Sequence, residues 1–274
     1  MIEPDHKRLF IFAGFDKSAE FKHANRYYLQ SLSRLGDIIL IMDNDGEIPS
    51  DITSLCLYTR AIRHGEYDFG SYKRGFFKAK DLGILERYDC LYLVNDSVIG
   101  PVKDLEPVLS RLESSGGEAW GLAYTIRKHG SHLQSWFLGM KKSLFSSAIF
   151  EDFISGVRRA ASKSEICLLY ENGFTDLLTA NHIEFNYLLG VRRTYNHPER
   201  LFREGLPFFK RDSIYRHNAS LSRQIKYILD HCDPRLKEAV ETDLKEEGNE
   251  NLITSSRAVN GARYARYLFS KIFG

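Results

Sequence analysis

The stretch Tyr88-Asp-Cys-Leu-Tyr-Leu-Val-Asn-Asp-Ser-Val-Ile-Gly-Pro101 decides the fold. Cys90 to Val94 is a short apolar run rich in β-favouring residues, and it is too brief for an ordinary helix, so it predicts a buried strand. The polar residues Asn95-Asp96-Ser97 follow at once, and Gly100-Pro101 ends the element. Ligands of open α/β sheets bind beyond the carboxyl ends of the strands, so this boundary is a candidate site. The alternative is that the polar residues only form a turn or cap a helix.

The segments before this strand predict a parallel sheet. Leu9 to Ala13 and Asp37 to Met42 are apolar runs that predict strands, and Ala24 to Leu35 between them predicts a helix. A strand, helix and strand of this length form a βαβ unit, whose strands lie parallel and whose crossover is almost always right-handed. The second strand ends at Asp43, which either binds a ribose or base or forms an Asx turn. We favour the ligand.

The segment from His64 to Gly75 predicts a ligand-binding loop. It is dense in glycine, aromatic residues and charges of both signs, a composition poorly suited to burial. Aromatic faces stack on base or sugar rings, and Asp68 would supply directional hydrogen bonds. The helix of this region is therefore expected only from Phe76 to Glu86. The chain has no G-x-G-x-x-G and no G-x-x-x-x-G-K-[ST], so a Rossmann dinucleotide site and a P-loop lack their usual signal.

Two further strands are expected at Ala119–Tyr124 and His132–Met140. In the second strand His132 and Gln134 alternate onto one face, where they would line a groove for an acceptor. An ordinary half-exposed strand is the alternative.

Glu171 is the candidate base. It precedes a predicted helix from about Thr175 to Asn181, and the positive end of a helix dipole favours a carboxylate in its charged form. A plain capping acid is the alternative.

A proline-punctuated segment from Glu204 to Asp212 concentrates positive charge. Lys210 and Arg211 would meet a diphosphate through one point charge and one planar fork. Solvated ion pairs with Asp212 and Glu204 are the commoner fate of such residues.

The composition is that of an ordinary globular protein. The chain has 274 residues, of which 43% are hydrophobic and 27% charged, and its net charge of +2 gives no argument for nucleic acid. Four scattered cysteines without a C-x-x-C pair argue against a zinc ribbon and a dense disulfide framework, so a cytoplasmic location is expected. The chain shows no secretion signal and no run of roughly 18 apolar residues, so membrane insertion is not expected.

The C-terminal part is expected to be helical only. Helices are predicted from Leu221 to Cys232 and from Pro234 to Glu246. The last segment, Ser256 to Phe273, interleaves basic residues with aromatic and aliphatic ones. Such a helix either lies on an anionic bilayer surface as a peripheral contact or packs on protein, and we leave these two alternatives open.

Four segments, taken in order, resemble the rhamnan synthesis F family. They are His64–Gly75, Leu93–Pro101, His132–Leu138 and Gly205–Arg211. The resemblance extends over most of Leu9 to Asp212, and the family comprises bacterial proteins of cell-surface polysaccharide assembly that are regarded as glycosyltransferases. It implies an α/β, GT-A-like (Rossmann-related) fold, with a mostly parallel sheet flanked by helices over residues 1–215. A C-terminal helical extension would then occupy residues 216–274.

The resemblance also bears on a metal ion. In GT-A folds the central strand commonly ends in Asp-x-Asp, which holds a divalent ion on the donor diphosphate. Here Val94 occupies the first place and only Asp96 matches the second. Mg²⁺ and Mn²⁺ prefer several oxygen ligands, whereas Asp96 supplies one carboxylate. A divalent cation at Asp96 is therefore one of two alternatives. Without an ion, Lys210 and Arg211 would neutralise the leaving group.

The family implies a transferase that moves a hexose, such as rhamnose, from a nucleotide-sugar donor to a lipid-linked glycan. Such a reaction would serve bacterial surface polysaccharide synthesis, for example of lipopolysaccharide O-antigen. Glu171-Asn172 resembles the acidic pair with which many inverting GT-A enzymes deprotonate the acceptor hydroxyl. The expected site comprises Asp43 and Asp68 for the nucleoside and sugar, Asn95 and Asp96 for the donor or an ion, Lys210 and Arg211 for the diphosphate, Glu171 as base, and His132 and Gln134 for the acceptor.

Two other functions stay open. The incomplete Asp-x-Asp pattern permits a non-catalytic glycan-binding or scaffolding subunit. A nucleotidyltransferase would require a triphosphate substrate and usually more acidic metal ligands than this sequence offers.

Overall fold

The structure is a computed structural model that describes residues 7–15, 21–128, 130–192, 194, 196–216 and 219–254. The chain divides into two compact units, of which the first comprises residues 1–21, 29–96 and 106–192. The second comprises residues 22–28, 97–105 and 193–274. The predicted domain boundary at residue 215 stays a prediction. The predicted terminal helix, Ser256 to Phe273, lies outside the described residues.

The described residues form ten strands. They are β1 Arg8–Gly14, β2 Asp37–Met42, β3 Tyr58–Ala61, β4 Cys90–Asn95, β5 Val98–Ile99, β6 Ala119–Thr125, β7 His132–Leu133, β8 Phe137–Lys141, β9 Phe185–Val191 and β10 Phe209–Lys210.

Thirteen α-helices lie between and after these strands in the described residues. They are α1 His23–Leu32, α2 Ser50–Thr53, α3 Tyr67–Asp81, α4 Glu106–Glu113, α5 Lys142–Phe145, α6 Ala148–Ser155, α7 Lys163–Ile166, α8 Gly173–Ala180, α9 Pro198–Arg203, α10 Asp212–Tyr215, α11 Ala219–Leu229, α12 Pro234–Glu246 and α13 Asn251–Thr254. A 3₁₀ turn covers Leu85–Arg87, and a π-helical turn covers Cys167–Asn172. Within the described ranges, no helix combines the length and the apolar character needed to cross a bilayer.

The first unit is built on an eight-stranded sheet with the order β3-β2-β1-β4-β8-β6-β7, in which β9 also pairs with β6. Strands β1 to β4 run parallel, β8 is antiparallel to β4 and β6, and β9 is parallel to β6. All seven residues of β1 and all six of β4 are buried, as expected of parallel strands covered on both faces. The predicted α/β architecture, a mostly parallel sheet flanked by helices, is confirmed.

Helix α3 corrects the prediction of a loop from His64 to Gly75. The aromatic residues Phe69, Tyr72 and Phe76 recur at helical spacing and are buried in the core of the first unit. Gly75 allows α3 to approach β1, because a Cβ atom there would lie 2.3 Å from Cγ2 of Ile11. Glycine in this segment therefore serves close helix packing, and the aromatic side chains fill the core.

The predicted single strand from His132 to Met140 is also wrong, because it is two short strands, β7 and β8. Between them the backbone N–H of Ser135 donates to the carboxylate of Glu171. This bond to a side chain lies at the break between the two strands, and next to it the N–H of Asn95 at the end of β4 donates to the carbonyl oxygen of Trp136 at 3.2 Å. Strand β9 has no counterpart among the strands predicted from the sequence.

The second unit has a core of its own. Apolar residues of α11 and α12, including Ile225, Ile228, Leu236 and Val240, pack with Phe209 of the two-stranded antiparallel pair β5–β10. Helix α12 begins at Pro234, as predicted, and Asp233 caps it by accepting a hydrogen bond from the N–H of Arg235.

Candidate active site

The carboxyl ends of β1, β2 and β4 meet at one edge of the sheet. The N–H of Asp43 donates to the carbonyl oxygen of Gly14 at 2.8 Å, and the N–H of Asp96 donates to that of Ala13 at 3.3 Å. The Asp96 carboxylate in turn accepts a hydrogen bond from the N–H of Phe15 at 2.8 Å. Asp43 and Asp96 therefore lie on either side of the end of β1, as expected for residues that follow neighbouring parallel strands.

Asp43 holds the turn that leads into α3. Its Oδ1 atom accepts hydrogen bonds from the N–H groups of His64 at 2.8 Å and Gly65 at 3.0 Å. The Nδ1 atom of His64 accepts from the N–H of Glu66 at 3.1 Å, so Nε2 carries the ring hydrogen towards Oγ of Ser71 at 3.0 Å. Burial lowers the pKa of His64, with Asp43 acting in the opposite direction, and the ring is neutral.

Asp68 and Asn95 contact each other. Asp68 lies in the first turn of α3, and its Oδ2 atom accepts a hydrogen bond from Nδ2 of Asn95 at 2.7 Å. Asn95 is buried at the end of β4. The two residues predicted to bind the donor from separate elements thus belong to one polar cluster.

Glu171 is held by Ser135. Its Oε1 atom accepts hydrogen bonds from both the N–H of Ser135 at 2.9 Å and the hydroxyl at 3.0 Å. The residue lies within the π-helical turn, which is continuous with α7 and α8, so the prediction that it gains from a helix start is wrong. The two hydrogen bonds from Ser135 hold the carboxylate in position.

His132 lies beside Glu171, which unites the predicted acceptor ligand and the predicted base. Its Nδ1 atom is 2.8 Å from the carbonyl oxygen of Gly130. Its Nε2 atom is 3.7 Å from Oε2 of Glu171, and the exposed fractions of the two side chains are 5% and 17%. The pair is therefore mostly shielded from solvent but not closed to it.

Gln134 is paired inside the protein at both ends of its amide. Its Nε2 atom donates to Oγ1 of Thr125 at 2.9 Å, and its Oε1 atom accepts from Nε1 of Trp136 at 2.5 Å. The geometry favours a structural role for Gln134, and its predicted contact with an acceptor stays a prediction.

Two residues that sequence reasoning missed connect this cluster. Ser135 binds Glu171, and the hydroxyl of Tyr72 in α3 donates to the carbonyl oxygen of Ser135 at 3.0 Å. Neither contact could be predicted from the sequence, in which the only indication is the polar character of Ser135, three residues after His132. The segment 132–136 thus links α3, β4 and the π-helical turn.

Lys210 and Arg211 belong to the second unit. The Nζ atom of Lys210 donates to Oγ of Ser97 at 3.1 Å, and Nη2 of Arg211 donates to Oδ1 of Asn25 at 2.7 Å. Their predicted contact with a diphosphate stays a prediction.

The acids at the carboxyl edge do not assemble a metal site by themselves. Mg²⁺ and Mn²⁺ prefer several oxygen ligands, yet in the described ranges no three His, Cys, Asp or Glu ligand atoms converge at this edge. A convergence within 4.8 Å occurs in the second unit, at His23, Asp243 and Glu246. There both carboxylate oxygens of Asp243 accept N–H groups at the start of α1. The predicted ion at Asp96 stays a prediction.

The fold and the cluster define an α/β protein with acids, an amide and a histidine at the carboxyl edge of its parallel strands. Residues 59–246 match the family described as rhamnan synthesis protein F, and the chain belongs to that family. The resemblance inferred from the four segments is confirmed.

The chain is also similar to curated proteins of Vibrio anguillarum. It is 29% identical over 149 residues to virulence protein VirA of Vibrio anguillarum, in sequences from that species and from its strain ATCC 68554 / 775. The alignment covers 54% of this chain and 47% of VirA. The chain therefore spans about half the length of these curated relatives.

Three solved structures are distantly similar. The glycosyltransferase GlyE of Streptococcus pneumoniae TIGR4 has a TM-score of 0.43 and 14% identity, with 87% of this chain and 64% of GlyE covered. A 4-diphosphocytidyl-2C-methyl-D-erythritol synthase has a TM-score of 0.44 and 9% identity, with 72% and 96% covered. A cytidylyltransferase of Leptospira borgpetersenii serovar Hardjo-bovis (strain JB197) has a TM-score of 0.42 and 12% identity, with 92% and 98% covered. Scores below 0.5 support no functional inference.

Proposed function

We propose that the chain is a glycosyltransferase that moves a hexose from a nucleotide-sugar donor to a hydroxyl of a glycan acceptor. Membership of the rhamnan synthesis protein F family supports this function. The observation that carries it is the position of Glu171, whose carboxylate is fixed by Ser135 beside His132. Removal of a hydroxyl proton requires a positioned base, and a fixed carboxylate can act as one.

The acceptor oxygen attacks the anomeric carbon, the bond from that carbon to the diphosphate oxygen breaks, and the nucleoside diphosphate leaves with the electron pair. The hydroxyl proton passes to Glu171. The protein must therefore place two substrates, accept one proton and stabilise the charge of the departing diphosphate.

The donor side of the proposal uses the other acids and the cationic residues. Asp43 and Asp68 would accept hydrogen bonds from sugar hydroxyls, since ionised carboxylates are strong acceptors. Asn95 and Asp96 would contact the donor at the end of β4, and Lys210 and Arg211 would neutralise the diphosphate. Rhamnose as the donor sugar, a lipid-linked acceptor and a cytoplasmic location complete the proposal.

The test is release of nucleoside diphosphate from dTDP-, UDP- and GDP-activated hexoses by the purified protein, with and without EDTA. Glu171→Gln keeps the shape of the side chain and removes the base, so turnover is expected to fall by about 10²–10⁴-fold. Calorimetric affinity for the nucleoside diphosphate should stay unchanged. The matched control is Glu184→Gln, at an exposed position outside the cluster.

A non-catalytic glycan-binding subunit is the second candidate, because Val94 replaces the first acid of the Asp-x-Asp pattern at the end of β4. Binding of an oligosaccharide without release of nucleotide from any donor, in the presence of Mg²⁺ and Mn²⁺, would support it. Turnover by the wild-type protein that Glu171→Gln abolishes would exclude it.

A further inference from the structure

The hydrogen-bond partner of Nδ1 fixes the tautomer of His132. Nδ1 lies 2.8 Å from the carbonyl oxygen of Gly130, and a carbonyl oxygen only accepts hydrogen bonds. Nδ1 therefore carries the hydrogen, and a neutral ring presents the lone pair of Nε2. Nε2 is the ring nitrogen that lies near Glu171, at 3.7 Å from Oε2.

The two oxygens of Glu171 have different surroundings. Oε1 accepts both hydrogen bonds from Ser135, at 2.9 and 3.0 Å. Oε2 is the oxygen that faces Nε2 of His132, at 3.7 Å. Ser135 thus selects which oxygen of Glu171 is presented for chemistry.

Nε2 and Oε2 together offer two acceptor atoms to a hydroxyl group that lies beside them. The separation of 3.7 Å is longer than a direct hydrogen bond. In the neutral form of His132, Nε2 is an acceptor and so is Oε2 of Glu171. The repulsion between these two acceptor atoms is relieved when a hydrogen donor binds to both of them. An acceptor sugar hydroxyl, or a water molecule in its place, can lie beside the two atoms and direct a hydrogen to them.

We propose that His132 and Glu171 act together as the base, and that Ser135 is a positioning residue for Glu171. This inference rests on the proposed glycosyl transfer. The O–H bond of the acceptor breaks as its oxygen bonds to the anomeric carbon and the diphosphate leaves. The hydroxyl proton passes to Glu171 and moves on to Nε2 of His132, where the protonated ring lies next to the Glu171 carboxylate and each charge stabilises the other.

The surrounding contacts hold the pair in place. The hydroxyl of Thr175 in α8 accepts a hydrogen bond from the N–H of Leu133 at 3.0 Å, and the hydroxyl of Tyr72 binds the carbonyl oxygen of Ser135. The segment that carries His132 is therefore anchored on two helices. Fixed geometry of this kind reduces the reorganisation that a proton transfer requires.

The decisive variant is His132→Asn. Asparagine places an amide N–H near the position of Nδ1, so the bond to Gly130 is kept while Nε2 is deleted. In release of nucleoside diphosphate from the activated hexose that the wild-type protein turns over, kcat is expected to fall about 100-fold while the KM for the donor is unchanged. The matched control, His182→Asn, removes an exposed ring at a residue with φ of 55°, a conformation that asparagine tolerates.

Ser135 is tested by substitution and rescue. Ser135→Ala deletes one of the two hydrogen bonds to Oε1 and should lower kcat about 10-fold with little change in KM. Ser135→Thr keeps the hydroxyl and should restore most of the rate. Wild-type kcat in His132→Asn would overturn the shared base, and an equal loss in Ser135→Ala and Ser135→Thr would overturn the positioning role.

A measurement without substrate separates this inference from the proposed function. Long-range ¹⁵N–¹H NMR of the imidazole rings should show His132 as the Nδ1–H tautomer at neutral pH, and the Nε2–H tautomer would overturn the shared base. Wild-type protein that releases nucleotide from none of the donors would instead remove the glycosyltransferase proposal, whichever tautomer is found.

Discussion

Asn95 donates a hydrogen bond from its buried side-chain amide to the carboxylate of Asp68 at 2.7 Å, which joins the end of β4 to the first turn of α3. Replacing Asp68 with alanine deletes this acceptor for a buried donor. We expect Asp68→Ala to lower the free energy of unfolding by about 1–3 kcal/mol in urea titrations.

The control for this prediction lies on the same helix. Asp81 is exposed at the last position of α3, and Asp81→Ala should change the free energy of unfolding by less than about 0.5 kcal/mol. Equal losses in the two variants would show that the bond to Asn95 does not stabilise the fold.

The buried ring of His64 makes stability depend on pH. Burial lowers its pKa from the ordinary value of 6.5, so below that pH the unfolded chain binds a proton more readily than the folded one. The free energy of unfolding should therefore be highest above pH 6.5 and fall as the pH drops towards the folded-state pKa. Urea titrations between pH 8 and pH 5 measure this slope.

His64→Asn offers a similar acceptor to the N–H of Glu66 but cannot titrate. The variant should be less stable at pH 8, because it loses the bond to Ser71, yet its slope with pH should be shallower than that of the wild type. His182→Asn removes an exposed ring and should keep the wild-type slope. A wild-type slope in His64→Asn would contradict the assignment.

Arg8 and Glu113 form a buried ion pair, with Nε 2.6 Å from Oε1 and exposed side-chain fractions of 6% and 1%. The hydroxyl of Tyr92 also donates to Glu113, at 2.5 Å. Glu113→Ala removes the acceptor of both buried donors and should lower the free energy of unfolding by about 3–5 kcal/mol.

The second partner of Arg8 provides the comparison. The side chain of Glu106 is 41% exposed, so Glu106→Ala should cost only about 1 kcal/mol, because water reaches the freed guanidinium edge. Thermal or urea unfolding of the two variants shows whether burial determines the loss in free energy of unfolding. If only the number of charges mattered, the two losses would be equal.

The parallel core of the sheet was predictable from local sequence. Strands such as β2 and β4 have short, continuous and buried apolar runs, and small polar residues follow each run. That pattern placed Asp43 and Asp96 at the same edge of the sheet, which the backbone bonds at Gly14 and Ala13 confirm.

The geometry around Glu171 was not predictable in the same way. Ser135 and Glu171 are 36 residues apart, and their contact depends on how the π-helical turn packs against the break between β7 and β8. The sequence suggested that a helix start stabilises the carboxylate. The contact with Ser135 was missed because no local pattern reveals a hydrogen bond between distant segments.

The glycine content of residues 64–75 suggested a loop, but Gly75 serves the close packing of α3 on β1. A Cβ atom on Gly75 would lie 2.3 Å from Cγ2 of Ile11, so Gly75→Ala forces α3 away from β1 and should lower the free energy of unfolding by about 1–3 kcal/mol. Gly173 is also helical, but a Cβ atom there would meet its nearest neighbours at 3.9 Å. Gly173→Ala should therefore raise the free energy of unfolding by about 0.4–1 kcal/mol, because alanine restricts the unfolded chain. Urea titrations that gave both variants the same sign would show that helix propensity, and not the approach of α3 to β1, governs these positions.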